Sequence, residues 1–443
     1  MYREMSLCLT EWKSTPNRKP VILKGVRQVG KTWLLKDFGA RGFKNCHYVN
    51  LEVFHQLGQV FATIKDPVQI VRELEYLLRT KIDVTTDLLI LDEIQAIPDA
   101  VTSLKYFYES MPELALCTAG SLIGTFLGES PFPVGKTTIK QLHPLTFAEF
   151  LLAQGEAALC ELLETHDLRE PLPLVPHTQL SELWRFYIVT GGMPEAVDAA
   201  VQHGGTTFEA ARQARFVQSQ LIMAYLADMA KHSGQVNAHH MERIYRAVPM
   251  QLAQTVDSSA RRFVFKGVIP GVKGYAKMAS AITWLERAGL VHRVPVLHHV
   301  EAPLRAFTKE NMFKLYPSDT GMRGAASALA PATILAYDFA TFKGYFLENA
   351  IHQEMVAAGM TPYCWEGRTA EVEFVVQHGD AIIPIEVKAG NRTKSKSLSA
   401  YRTKFNPRVT ITLTNLNKGR SGQTLMLPHY TTGQLPRLLD MIA

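Results

Sequence analysis

Residues Gly25-Val26-Arg27-Gln28-Val29-Gly30-Lys31-Thr32 fit the pattern GxxxxGK[ST] and stand between an apolar run, Val21-Ile22-Leu23, and a helical pattern from Thr32 to Phe38. No other feature restricts the fold as much. Such a loop works only when a buried strand leads into it and a helix leads out, so that backbone N–H groups at the helix start face the loop. Glycine permits the positive φ and close backbone approach that a Cβ would obstruct. The spacing predicts a phosphate cradle formed by Gly25, Val26, Arg27, Gln28, Val29 and Gly30. Lys31 is expected to neutralise the β/γ oxygens of ATP, and the Thr32 hydroxyl to ligate Mg²⁺.

The complementary half follows at Leu88-Leu89-Ile90-Leu91-Asp92-Glu93, an apolar strand ending in two acids. Asp92 is placed to hold Mg²⁺ through water, and Glu93 to orient and polarise the attacking water. Between about 20 and 145, short β-like runs alternate with helical patterns: Cys46 to Leu51, a helix from Val68 to Arg79, and Leu114 to Thr118. Buried runs joined by helices predict an α/β fold, a parallel P-loop sheet covered on both faces. The strand end Cys117-Thr118-Ala119-Gly120-Ser121 offers Ser121 or Thr118 as a polar group near the γ-phosphate, although small polar residues also cap helices. No arginine finger can be assigned from sequence.

At 443 residues the chain is long for a single core. Its five cysteines (Cys8, Cys46, Cys117, Cys160, Cys364) contain no CxxC pair, which argues against a zinc ribbon or disulfide framework and fits a cytoplasmic protein. The N-terminus has no signal-peptide core, and no run of about 18 apolar residues predicts a membrane span. No HExxH, GxSxG or dinucleotide-binding glycine pattern is present, and the His239-His240 and His298-His299 pairs lack metal-ligand spacing. The net charge of +6 is mild, but from Val387 to Leu439 there are ten Lys/Arg and no Asp or Glu. These are Lys388, Arg392, Lys394, Lys396, Arg402, Lys404, Arg408, Lys418, Arg420 and Arg437. A one-signed stretch suits a phosphate backbone, and equally a solvated face balanced by acids elsewhere in the fold.

From about 146 to 265 the pattern is helical, with a break at Pro171-Leu172-Pro173-Leu174-Val175-Pro176. A helix from Ala276 to Arg287, closed by Gly289 and followed by a strand from Leu290 to Val294, has the order of a winged helix-turn-helix within about 240–300; a plain helical hairpin stays open. Strands at Val372 to Gln377 and Ala381 to Val387 return the chain to α/β character.

The whole pattern resembles a microbial family of AAA+-type ATPases with a C-terminal restriction-endonuclease-like domain of unknown function. The marks are the loop 25–32, Leu91-Asp92-Glu93-Ile94-Gln95, Ala119-Gly120-Ser121, Pro144-Leu145-Thr146-Phe147-Ala148-Glu149-Phe150 and Gly191-Gly192-Met193-Pro194. Asp319-Thr320-Gly321-Met322, Glu348-Asn349, Glu371-Val372-Glu373-Phe374 and Ile385-Glu386-Val387-Lys388 continue the series. The resemblance implies an ATPase core over 1–150, a helical region with a winged helix over 151–325, and a nuclease-like α/β domain over 326–443. Relatives of this type often form rings, so a homo-oligomer is among the expectations. The chain departs from the family at Gly135-Lys136, where arginine is usual, and at Glu373, where aspartate is usual.

Glu373 on one strand and Glu386-Val387-Lys388 on the next have the spacing of a PD-(D/E)xK nuclease. Residues 386 and 388 share one strand face, and a turn at His378-Gly379-Asp380 would bring Glu373 beside them. Glu348 would complete a carboxylate set (Glu348, Glu373, Glu386) for Mg²⁺, with Lys388 as the catalytic cation. Glu-x-Lys on one face is also what an ordinary salt bridge looks like. Three readings remain from sequence: an ATPase coupled to DNA handling, a nucleotide-dependent switch for a protein partner with an inert nuclease-like domain, and a DNA-binding regulator whose ATPase only sets its assembly.

Overall fold

The computed structural model describes residues 1–121, 133–232, 235–254, 262–336, 342–367, 370–390 and 395–442. Arg392 and Lys394 of the basic stretch lie outside the described residues. The chain forms two compact units, one of residues 2–143 with 287–289, the other of 144–286 and 290–443 with Met1.

The first unit holds a five-stranded sheet of β1 (Val21–Lys24), β2 (Cys46–Asn50), β3 (Leu88–Asp92), β4 (Ala115–Gly120) and β5 (Thr138–Gln141). Its order is β2-β3-β4-β1-β5, and every pairing is parallel. The burial of each strand follows its place. The inner strands β3 and β4 are wholly buried and β1 nearly so, while the edges β2 and β5 alternate with less buried positions. Parallel strands with helices on both faces need continuous apolar runs only in the interior.

Helices pack on this sheet for local reasons. Pro67–Leu78 starts at Asp66, whose side chain accepts from the Val68 N–H, has Pro67 in its first turn and buries Ile70, Val71 and Leu74. These join Ile22, Val49, Phe61, Leu89, Leu91 and Phe107 in one core, the helical stripe meeting the sheet face as spacing demands. The register Asn50↔Asp92 brings β2 and β3 to the same level at their C-terminal ends.

The second unit begins with the helices Phe147–Ala153, Ala157–Thr165, Leu174–Thr190, Pro194–Gln202, Phe208–His232 and Gln235–Gln254. An eight-stranded mixed sheet follows: β6 (Val291–Leu297), β7 (Thr308–Pro317), β8 (Tyr363–Glu366), β9 (Glu371–His378), β10 (Ala381–Val387), β11 (Thr410–Thr414), β12 (Gly419–Ser421) and β13 (Thr424–Pro428). Its order is β12-β13-β11-β10-β9-β8-β6-β7.

The helix-glycine-strand order is present, as Ala279–Arg287, Gly289 at φ 74°, and β6. β6 and β7 form an antiparallel hairpin after that helix. The free edge of β6 pairs parallel with β8, so the hairpin is built into the large sheet. Strands on both sides of residue 325 share this one sheet.

Several family marks meet in one buried network of this unit. Thr146 and Glu149 form a capping box at the start of Phe147–Ala153. The Phe147 N–H donates to Glu354 Oε1 at 2.9 Å, and the Tyr187 hydroxyl lies 2.6 Å from the Leu145 carbonyl and 2.8 Å from Glu354 Oε1. Asp319 accepts from the Gly192 N–H at 2.6 Å and the Met322 N–H at 2.9 Å, and Gln353 Oε1 accepts from the Thr320 N–H. A Cβ on Gly191, where φ is 67°, would meet Asp319 Oδ1 at 2.2 Å. Thus the Pro-Leu-Thr-Phe, Gly-Gly-Met-Pro and Asp-Thr-Gly-Met marks are scaffold.

Candidate functional site

The phosphate loop leaves β1 and opens the helix Lys31–Gly42, whose N-cap Gly30 sits at φ 95° without a side-chain cap. The first N–H groups of that helix have no intrahelical acceptor, which is the donor array that phosphate oxygens accept from. Gly25 is required for approach: a Cβ there would come within 2.5 Å of the Leu142 carbonyl oxygen. Arg27 and Gln28 are exposed at the tip, Gln28 at φ 64°, whereas Val26 and Val29 are buried and anchor the loop. Arg3 Nη1 donates to the Val29 carbonyl at 2.9 Å, a brace from a residue that the sequence did not single out.

Lys31 is buried, and its ammonium donates to the carbonyls of Gly25 at 2.9 Å and Val26 at 3.0 Å. Burial pulls its pKa down to about 8, against the opposing charges of Glu93 and Asp92. A polyanion at the loop would offer it stronger acceptors.

The Thr32 hydroxyl donates to Asp92 Oδ2 at 2.6 Å, and Asp92 Oδ1 accepts from the Glu93 N–H at 3.0 Å. Sequence reasoning missed Tyr48, whose hydroxyl donates to the same Oδ2 at 2.9 Å. Its pKa is pushed up to about 12 by burial and by Asp92. A tyrosine two residues before the end of the strand neighbouring β3 is the only local hint. Glu93 stands in the left-handed region at φ 48° and its carboxylate accepts from the Gln95 side-chain amide. A non-glycine residue held there costs on the order of 1 kcal/mol and marks a site whose geometry is imposed by its surroundings. Thr118, fully buried, donates to the Val21 carbonyl at 3.1 Å and so serves β1. Ser121 lies just past β4, half-buried. Lys136 lies 3.1 Å from Glu109.

These donors suit ATP with Mg²⁺. A hydroxyl and a carboxylate converge, both hard oxygen donors of the type Mg²⁺ selects, beside an uncapped helix start and a buried ammonium.

In the second unit the β9–β10 hairpin turns at Gly379, φ 56°, with Phe374 opposite Ile385. Glu373 and Glu386 therefore come side by side, both buried. Glu373 Oε2 accepts from the Val387 N–H at 3.2 Å, and Glu386 Oε1 accepts from Ser395 Oγ at 2.8 Å and from the Lys388 ammonium. Burial first, then Glu386, Glu348 and Glu371, hold the Glu373 carboxyl well above the usual range. Glu348 accepts from the Tyr316 hydroxyl at 3.0 Å.

Lys314 of β7 is the other residue that sequence reasoning missed. Fully buried, it pairs with Glu371 and lies 3.9 Å from Glu348. Burial lowers its pKa, but Glu371, Tyr316 and Glu348 outweigh burial and hold it well above the ordinary value. A lysine between Phe313 and Leu315 in an apolar strand is a signal for a buried partner. Among the described residues no group of three or more His, Cys, Asp or Glu is placed to hold a metal ion. Glu386 and Glu348 lie near enough to Glu373 to raise its carboxyl, while Lys388 pairs with Glu386 and Lys314 with Glu371.

Three sequence families match the chain: an AAA domain over residues 17–151, a domain of unknown function (DUF8612) over 181–333, and a second domain of unknown function (DUF4143) over 343–430. No curated protein matches it. Similar solved structures include the Walker-type ATPase paby2304 of Pyrococcus abyssi, with 15% identity, TM-score 0.44, and coverage of 73% of this chain and 95% of that one. The Aeropyrum pernix Orc1 protein in complex with DNA has 14% identity, TM-score 0.29 and coverage of 76% and 91%. AMPPCP-bound DnaA from Aquifex aeolicus has 14% identity, TM-score 0.27 and coverage of 63% and 86%. Scores this low transfer no property of those proteins to this chain. The AAA match falls on the unit whose loop, helix start and Asp92 have just been described, and residues 17–151 are a P-loop ATPase domain of the AAA type.

Proposed function

We propose that the chain binds and hydrolyses ATP with Mg²⁺ and couples this to DNA. The observation that carries the ATPase reading is the convergence of Thr32 on Asp92 beside the buried ammonium of Lys31. Mg²⁺, when bound with the nucleotide, neutralises phosphate charge. The chain's own groups do the rest. Loop N–H groups and Lys31 hold the phosphates, Thr32 and Asp92 receive the metal, and Glu93 orients the water and draws its proton towards its carboxylate. Ser121 is assigned to the γ-phosphate side of the site.

Support for DNA comes from charge. Lys396, Lys404, Arg408 and Arg420 are exposed, the first two on the helix Lys396–Phe405, which also carries Arg402. The C-terminal domain is read as nuclease-like in fold and as a DNA-contacting platform. The second reading, a nucleotide-dependent switch for a protein partner, is favoured by the ion pairs of Lys314 and Lys388 inside the carboxylate cluster, which suit an inert domain.

The test is ATP hydrolysis by the purified chain with and without double-stranded DNA, with Glu93→Gln as control. A several-fold rise with DNA, weakening as salt increases, supports coupling. Hydrolysis indifferent to DNA moves the protein-partner reading ahead, and no hydrolysis in the wild type rejects the ATPase reading.

A further inference from the structure

We propose that Tyr48 is a positioning residue of the ATP site: its hydroxyl, braced by Lys36, fixes the Asp92 carboxylate in the orientation that receives the nucleotide's Mg²⁺. This rests on the ATPase reading above and deepens it.

Asp92 is buried, and three donors fill its carboxylate: Thr32 and Tyr48 on Oδ2, and the Glu93 N–H on Oδ1. Two of them come from its own strand end and from the phosphate-loop helix. The third comes from β2, where Tyr48 stands opposite Ile90 in the parallel register. With donors on both oxygens, rotation about the Cβ–Cγ bond breaks a hydrogen bond in either direction.

Tyr48 is itself held. The Lys36 ammonium lies 3.6 Å from the Tyr48 ring centroid, a cation–π contact that fixes the ring face. Lys36 follows Thr32 by four residues, so both project from one side of the helix Lys31–Gly42. That side reaches Asp92 twice, directly through Thr32 and indirectly through Lys36 and Tyr48. A hydroxyl on a half-buried edge-strand tyrosine could be satisfied by water. Its donation to an already occupied carboxylate oxygen is what gives it a role at the metal-receiving pair.

Tyr48→Phe removes the hydroxyl and keeps the ring over which Lys36 sits. A fluorescent ATP analogue is titrated into the full chain, once in EDTA and once in excess Mg²⁺. Affinity in EDTA is expected to stay within about twofold of wild type. The tightening produced by Mg²⁺ is expected to shrink about tenfold, the worth of one hydrogen bond to a charged group. The Mg²⁺ concentration for half-maximal hydrolysis should rise by a similar factor. In the Thr32→Ala background the Tyr48→Phe change should have little further effect, since both hydroxyls act on one oxygen.

Should Tyr48→Phe fail to fold, Lys36→Met at an exposed position reads the same relay, with a smaller loss of the same kind. An unchanged Mg²⁺ effect in these variants overturns the proposal. So does an equal loss with and without Mg²⁺, which is the mark of a merely structural tyrosine. A wild type that binds no nucleotide removes the ATPase reading and this proposal together, and does so before any variant is compared.

Discussion

The Thr32 hydroxyl lies 2.6 Å from Asp92 Oδ2, a residue 60 positions further along the chain. Either partner alone is a poor metal site, and the pair is the smallest unit that the sheet has to assemble. Asp92→Asn and Thr32→Val are each expected to slow hydrolysis by at least about a hundredfold, the cost of losing a placed electrostatic group in a closed site. Metal-free nucleotide affinity should change only a few-fold. Steady-state hydrolysis beside analogue binding in EDTA separates the two effects.

The buried ammonium of Lys31 carries a pH signature. Its pKa is lowered from 10.5 to about 8 by burial, and triphosphate favours the charged form. Nucleotide binding should therefore take up protons, about half a proton near pH 8, and affinity should fall as pH rises from there towards 10. Calorimetry in buffers of different ionisation enthalpy measures the uptake. Lys31→Arg should abolish it, because guanidinium stays charged throughout.

How much of this was legible follows from distance along the chain. The loop 25–32 and the acids Asp92 and Glu93 each sit in one short segment, and the strand-loop-helix rule alone places them. Tyr48 and Lys314 were not legible, since their partners, Asp92 and Glu371, lie on other strands and only sheet order makes them neighbours. The β6–β7 hairpin was visible as a helix followed by a strand. Its parallel pairing with β8 crosses more than 60 residues, and no local pattern announces that.

Asp319 is fully buried, and burial raises its pKa from 3.8 to about 6 in spite of the backbone donors from Gly192, Met322 and Gly321. Between those values the folded state binds more protons than the unfolded state, so this group's contribution to stability is full below pH 3.8 and is lost as pH rises through 6. The stability difference between wild type and Asp319→Asn should shrink by roughly 2–3 kcal/mol between pH 4 and 7. Urea unfolding of both proteins at several pH values checks the sign and the window.

Lys314 faces Glu371 and Glu348 with 2% of its side chain exposed. Lys314→Met leaves a buried carboxylate without its cation, and a loss of about 3–5 kcal/mol is expected. Adding Glu371→Gln should recover more than half of it, because removing both charges is far less costly than removing one. Denaturation midpoints of the single and double variants test this; equal midpoints would sink the ion-pair argument.

The position of β8 has a consequence for any chain that is shortened, by protease or by gene fission, near residue 325. Such a fragment would keep β8 and lose the two strands beyond it. Tyr363, Cys364 and Trp365, now buried, would then form a raw border with unpaired N–H and C=O groups, a template for a second molecule. Residues 326–443 made alone are thus expected to swap strands or precipitate. A fragment beginning near 144 keeps all eight strands, so evolutionary reuse of this module would have to carry the helices with it.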